Sequence, residues 1–480
     1  MRQRFLQPLI SLILLFPFVA SAQYLVSFNY EGNIPASALS ALGIVSVDYD
    51  VDSYSITYNT VDVNGNQTVA SGMICIPDIS NCDSLPMVTY LHGTVLEKED
   101  VPSRNNFESI IGKLFSGLGY VTVMPDYLGL GDNPGIHPYV HGESEATATV
   151  DAMRAAKEFL AQETNFNLNN QIYITGYSQG GHAAMATHKY IQENDLYDEL
   201  TIVASAPCSG PYNLSGSMAE IFISGDYYSN PGYVVYTLLS FQSAYGNLYQ
   251  SYSDILRPPY DSIIPPMFDG TYSMSAVNNQ LPNYIDSFMV DTVLANFRND
   301  SVNQNHPLWQ ALNDNNNYNW IPQRPMRMYY CTADEQVPYQ NSLDAQAYML
   351  NAAPVDVRAV FSGDLSHGDC VMPAIYSASV FFDSTMALCQ SYVGVEDMDT
   401  PNSRLKVYPN PASNQIHVTG KDIEYTSIAV YAVSGTTLYQ SNSLFTETTI
   451  NTQDWPEGIY FLQVMDSNRQ LDIKRISIVR

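Results

Sequence analysis

The chain has 480 residues, 20 of them basic and 48 acidic, for a formal charge of −28 at neutral pH. An acidic excess of this size repels nucleic acid and anionic membranes, so neither is an expected partner, and it favours solubility outside a cell. Six cysteines fit an oxidising compartment; Cys75 with Cys82 and Cys370 with Cys389 are close enough in sequence to bridge, and the connectivity stays open.

At the N-terminus, Arg2 and Arg4, an apolar stretch from Leu9 to Val19 and the small residues Ala20-Ser21-Ala22 form the three parts of a cleavable secretory signal over residues 1–22, with Gln23 as the new terminus. That stretch is too short to anchor the protein, and no other run approaches the roughly 18 apolar residues a transmembrane helix needs. Residues 54–63 and 68–77 flank Asn64-Gly65, the strongest short hairpin signal, and predict an antiparallel pair at one edge of a sheet. Met87 to Leu91 is a buried-strand run ending in His92-Gly93-Thr94, and residues 120–125 form another, followed by Asp126. Asp126 is expected to anchor the loop after it by a structural hydrogen bond. Glu145 to Leu160 carries an apolar stripe of Val150, Met153, Phe159 and Leu160, which predicts a helix.

Gln171 to Thr175 is rich in apolar residues, Gly176-Tyr177-Ser178-Gln179-Gly180 follows, and Gly181 to Ala186 suits a helix. Strand, tight turn and helix in that order are the context of a nucleophile elbow, whose strained turn lifts a serine off the end of a sheet. Gly176 and Gly180 are required there because a side chain at either flank would collide with the neighbouring strand or helix. A serine hydroxyl is a poor nucleophile until a base takes its proton, and in this fold the chain order is serine, acid, histidine. After a strand at residues 201–206, the strand at 326–331 leads into a loop holding Asp334, and the run at 357–361 leads into one holding His367. Ser178, Asp334 and His367 therefore converge at one sheet edge, with Glu335 and Asp369 as competing acids. The backbone N–H groups of Thr94 and Gln179 are the candidate oxyanion donors, aimed at the charge that develops on a carbonyl oxygen. His182, one turn into the elbow helix, is expected to pack or to bond locally. His188, His306 and His417 have no acid at a strand end, and Pro138 bars the helix that would align His137 and His141 on a metal. No metal and no cofactor are expected.

Strands alternating with helices predict an α/β fold with a doubly wound, mostly parallel sheet over residues 23–392. Residues 210–322 interrupt it with an insert dense in tyrosine, asparagine and proline. This is too long for an ordinary loop and is expected to form a partly helical cap, with helices at 234–239 and 288–297. Residues 393–404 form an acidic linker, and alternating runs at 428–431, 460–464 and 473–478 suit a small β-sandwich over residues 405–480.

Tyr90-Leu91-His92-Gly93, the run Pro125 to Gly131, the run Gly176 to His182 and the Asp334 and His367 loops together resemble the secreted lipase and esterase branch of the α/β-hydrolase superfamily. The likeness spans most of residues 50–390 and is similar to fungal secretory lipases. It implies a Ser-Asp-His triad and hydrolysis of a small-molecule or lipid ester. The runs Val407 to Ala412, Gly458 to Leu462 and Lys474 to Ile478 resemble the C-terminal type A sorting domain of type IX secretion. That resemblance implies type IX export machinery as a partner and a secreted or cell-surface location. A peptidase on the same fold would carry the same triad but need a pocket for a peptide terminus. An idle adhesin, and a permanent carbohydrate-binding module at the C-terminus, are the rival readings from other classes.

Overall fold

The computed structural model describes residues 23–80, 82, 84–164, 167–352, 354–389, 405–410, 412–420, 424–432, 437–466 and 471–479. The expected signal and linker lie outside the described residues. The chain divides into two compact units, residues 1–391 and 392–480.

In the first unit, nine strands form one sheet: β1 (Leu25–Ile34), β2 (Val51–Val61), β3 (Gln67–Pro77), β4 (Ser84–Leu91), β5 (Val121–Pro125), β6 (Asn167–Tyr177), β7 (Ile202–Cys208), β8 (Met326–Cys331) and β9 (Val357–Gly363). Their order is β1-β2-β3-β5-β4-β6-β7-β8-β9. Pairing is parallel from β5 through β9 and antiparallel among β1, β2, β3 and β5. Every residue of β4 is buried, as a strand covered on both faces must be. Alternate side chains divide between two cores: Met87, Ile172 and Ile174 pack with the helix Gly142–Glu163, whereas Val88, Tyr90 and Tyr173 pack with the helices Phe107–Gly117 and His367–Asp383. The sheet is thus doubly wound.

The antiparallel edge differs from expectation by one strand. The 54–63 and 68–77 pair forms β2 and β3, but β1 lies outside it. β1 is mostly solvent-facing, so it lacks the hydrophobic run that marks a strand in sequence. The expected insert helices appear as Pro231–Tyr245 and Asp291–Asn299, joined by Pro307–Asp314. They enclose a separate core that includes Val235, Phe241, Leu256, Phe288 and Trp309.

The disulfides correct the sequence expectation: Cys82 pairs with Cys389 and Cys331 with Cys370, leaving Cys75 and Cys208 as buried thiols. Nearness in sequence misled because Cys75 is fully buried within β3 against Ser53, while Cys82 lies beyond the end of that strand.

The second unit holds two antiparallel sheets. Strands β10 (Leu405–Tyr408), β11 (Gln415–Gly420) and β14 (Glu447–Asn451) form one; β12 (Tyr425–Ala432), β13 (Thr437–Ser441), β15 (Gly458–Asp466) and β16 (Leu471–Ile478) form the other. Ile416 and Val418 from the first meet Ile428, Val430, Leu462 and Ile476 from the second in a single core, which makes a small sandwich.

Candidate active site

β6 ends at Tyr177, and Ser178 follows it with a φ of 59° and ψ of −121°, outside the common backbone regions, at the entrance of the helix Gln179–Glu193. Close packing of the turn dictates its glycines. A Cβ on Gly180 would stand 1.9 Å from the Leu91 carbonyl oxygen, and one on Gly176 would stand 2.4 Å from the Gly180 oxygen. The Ser178 N–H donates to the Cys208 carbonyl at 3.0 Å, tying the strained residue to β7.

Asp334 follows β8, and its side chain is 1% exposed. One oxygen accepts the N–H groups of Gln336 and Val337 at 3.0 and 2.8 Å, which leaves the other to meet His367 Nδ1 at 2.7 Å. His367 does not lie in a loop, as its sequence context suggests, but opens the helix His367–Asp383, capped by Ser366. Glu335 takes a different part of the same histidine, accepting its backbone N–H at 3.1 Å, and Asp369 accepts the Ser366 hydroxyl at 2.7 Å. The Cys331–Cys370 bridge fastens the end of β8 to the first turn of this helix. Tyr177 closes the circuit: its hydroxyl donates to the His367 carbonyl at 2.6 Å, and the two rings are 5.0 Å apart. No hydrogen bond joins Ser178 Oγ to His367 among the described residues.

The loop after β4 lies against the elbow. A Cβ on Gly93 would sit 3.9 Å from Ser178 Cβ and 3.1 Å from Glu108 Oε1. Glu108 is bonded by the Tyr90 hydroxyl, and burial raises its carboxyl above the usual range. Neither the Thr94 nor the Gln179 backbone N–H has a protein acceptor among the described residues, so both remain free to donate. Asp126 accepts from the Ser71 hydroxyl at 2.6 Å and the Ser103 N–H at 3.0 Å, a structural pair of bonds. His182 is buried, but its hydrogen bond is not local: Nδ1 meets Glu145 Oε2 at 2.7 Å, 37 residues away on the helix Gly142–Glu163. No group of three metal-ligating side chains occurs among the described residues.

Above Ser178 the cap leaves a cleft, partly open to solvent and walled by Leu214, Met218, Phe222 and Val234. Tyr228 and Tyr233 direct their hydroxyls from this wall to the backbone and side-chain oxygens of Gln336, both at 3.3 Å, and so tie the cap to the Asp334 loop. Sequence reasoning missed Tyr177, Gln336 and Glu145 as parts of the site. Only Tyr177 carried a signal, its place inside the elbow.

Residues 106–387 match the secretory lipase family, and residues 406–479 match the secretion system C-terminal sorting domain. Among solved structures, the rice cell wall degrading esterase LipA of Xanthomonas oryzae is 30% identical with a TM-score of 0.67, covering 75% of this chain and 97% of its own. A Legionella pneumophila protein is 27% identical with a TM-score of 0.68, over 75% of this chain and 98% of that one. Candida antarctica lipase A shares the fold at 16% identity and a TM-score of 0.52, over 72% and 77%. No curated protein matches the sequence. The C-terminal sandwich is a type IX sorting domain, and the protein is secreted or displayed at the cell surface. An ester hydrolase by its kinship, the chain belongs to the secretory lipase family.

Proposed function

We propose that the protein hydrolyses carboxylic esters outside the cell through Ser178, His367 and Asp334. The observation that carries this is the pairing of a strained elbow serine with a histidine whose Nδ1 is held by a buried carboxylate. His367 Nε2 takes the Ser178 proton as Oγ bonds to the ester carbon, and the oxyanion that forms is stabilised by the N–H groups of Thr94 and Gln179. Collapse of this intermediate breaks the ester C–O bond, and the leaving alkoxide receives the proton from Nε2. Water repeats the sequence on the acyl-enzyme, giving the acid and restoring the serine. Asp334 holds the tautomer that leaves Nε2 free to accept. The apolar cleft suits an acyl or aryl group. Kinship with LipA, a rice cell wall degrading esterase, supports an extracellular ester as substrate.

Ser178→Ala should fold normally and abolish turnover of a short p-nitrophenyl ester and labelling by a fluorophosphonate. Unchanged hydrolysis in that variant would overturn the assignment. We infer further that the signal is cleaved before Gln23 and the sorting domain is removed near residue 400. The intact mass of the secreted protein tests both points, and a retained C-terminal domain would refute its removal.

A further inference from the structure

Gln179 supplies a proposed oxyanion N–H from its backbone, yet its side chain points into a buried polar cluster that the reaction does not use. Its amide nitrogen is 2.6 Å from His137 Nε2 and 2.9 Å from Glu145 Oε1, so its two hydrogens meet two acceptors. The amide oxygen is buried with no partner among the described residues, so the nitrogen alone sets the position of the side chain. Both acceptors are fixed from behind. His137 Nδ1 donates to the Leu128 carbonyl at 2.7 Å, the tautomer that leaves a lone pair on Nε2, and burial holds this ring neutral down to about pH 4. Glu145, 1% exposed on the helix Gly142–Glu163, also accepts from His182 Nδ1 at 2.7 Å, the tautomer in which His182 Nε2 accepts from the Asn317 side-chain amide at 3.0 Å.

Resting on the serine-hydrolase assignment above, we propose that Glu145 and His137 are positioning residues that lock the Gln179 peptide so that its N–H is already aimed where the oxyanion forms. The physical reason is local. Gln179 is the first residue of its helix and its N–H has no intrahelical partner, so the Ser178–Gln179 peptide is held on its carbonyl side, by the N–H groups of Gly181 and His182 at 2.9 and 3.2 Å, while its N–H side depends on what anchors the Gln179 side chain. An anchor 34 residues away in sequence, on a different helix, adds this second restraint. Oxyanion donors are effective because they need no reorganisation when charge appears.

The test compares the full-length protein with Gln179→Met, which retains length and the backbone N–H but removes both donated bonds, and with Glu145→Met and the double variant. Rates are expressed per site titrated with a fluorophosphonate, which removes misfolded molecules from the count. An alkylboronic acid, which adds to a serine hydroxyl as a tetrahedral anion, reports transition-state affinity. We expect Gln179→Met to lower kcat about tenfold with KM nearly constant, and to weaken boronate inhibition by the same factor, a fraction of the loss seen when such a donor is deleted outright. Glu145→Met should do the same, and the double variant should lose no more than either single one. Parental kcat per site in Gln179→Met, or a fall in kcat without weaker boronate binding, would overturn the positioning role. Should Glu145→Met fail to fold, Gln179→Met decides alone. Activity surviving in Ser178→Ala would instead sink the hydrolase assignment itself, so the two failures are separable.

Discussion

The hydroxyl of Tyr177, the residue just before the elbow serine, donates to the main-chain oxygen of His367 across 190 residues of sequence. The nucleophile's own strand thereby holds the proposed base. A buried hydrogen bond contributes about 1 kcal/mol net, so Tyr177→Phe should lower kcat about fivefold if that energy serves to place His367. Tyr329 makes an equivalent bond to the same helix, its hydroxyl donating to the Ser377 carbonyl at 3.0 Å, and Tyr329→Phe should lose comparable stability with kcat intact. Equal losses of activity in the two variants would show that the helix is merely loosened.

Gly93 should prove intolerant of enlargement. The methyl of Gly93→Ala would press within 3.1 Å of Glu108 Oε1 and approach Ser178 Cβ, displacing the Thr94 N–H from the elbow. A fall in kcat of about tenfold, with thermal stability little changed, is expected from partial loss of one oxyanion donor. A variant with parental kcat would remove the Thr94 N–H from the proposed mechanism.

The two disulfides should separate stability from activity. Cys331–Cys370 closes a loop with a sequence separation of 39 residues, for which chain entropy gives a stabilisation of about 4 kcal/mol, and it braces the turn that opens with His367. Replacing both cysteines by alanine should lower Tm and kcat together. Replacing Cys82 and Cys389, remote in sequence from the site residues, should lower Tm alone. Stability curves and initial rates on both variants decide; unimpaired kcat without the Cys331–Cys370 bridge would count against its bracing role.

Acid should destabilise the fold through His188. Burial lowers its value from 6.5 to about 3, with Arg324 adding in the same direction, while Ser205 Oγ meets Nδ1 at 2.8 Å. Because the folded value is depressed, the unfolded chain takes up a proton first. His188 therefore contributes fully above about pH 6.5, and its contribution falls by about 1.4 kcal/mol per unit as pH drops toward 3. Urea unfolding of the parent and His188→Gln between pH 6.5 and 4.5 should show their stability difference shifting against the parent by that slope. A constant difference would rule out the neutral buried imidazole.

The elbow and the order of Ser178, Asp334 and His367 could be read from the chain because each rests on short-range physics: strand runs, a turn that admits only glycine, and loops that follow strand ends. The antiparallel β2–β3 hairpin and the parallel centre of the sheet were legible for the same reason. What needed the tertiary structure was decided by packing between distant segments. Neither the 307-residue separation of Cys82 and Cys389 nor the reach of Tyr177 to His367 leaves a local pattern. Nor does the convergence of Glu145 and His137 on Gln179, since their identities constrain nothing until the helix Gly142–Glu163 lies against the elbow helix. β1 escaped because a solvent-facing edge strand is stabilised by pairing to β2 rather than by burying a hydrophobic run of its own.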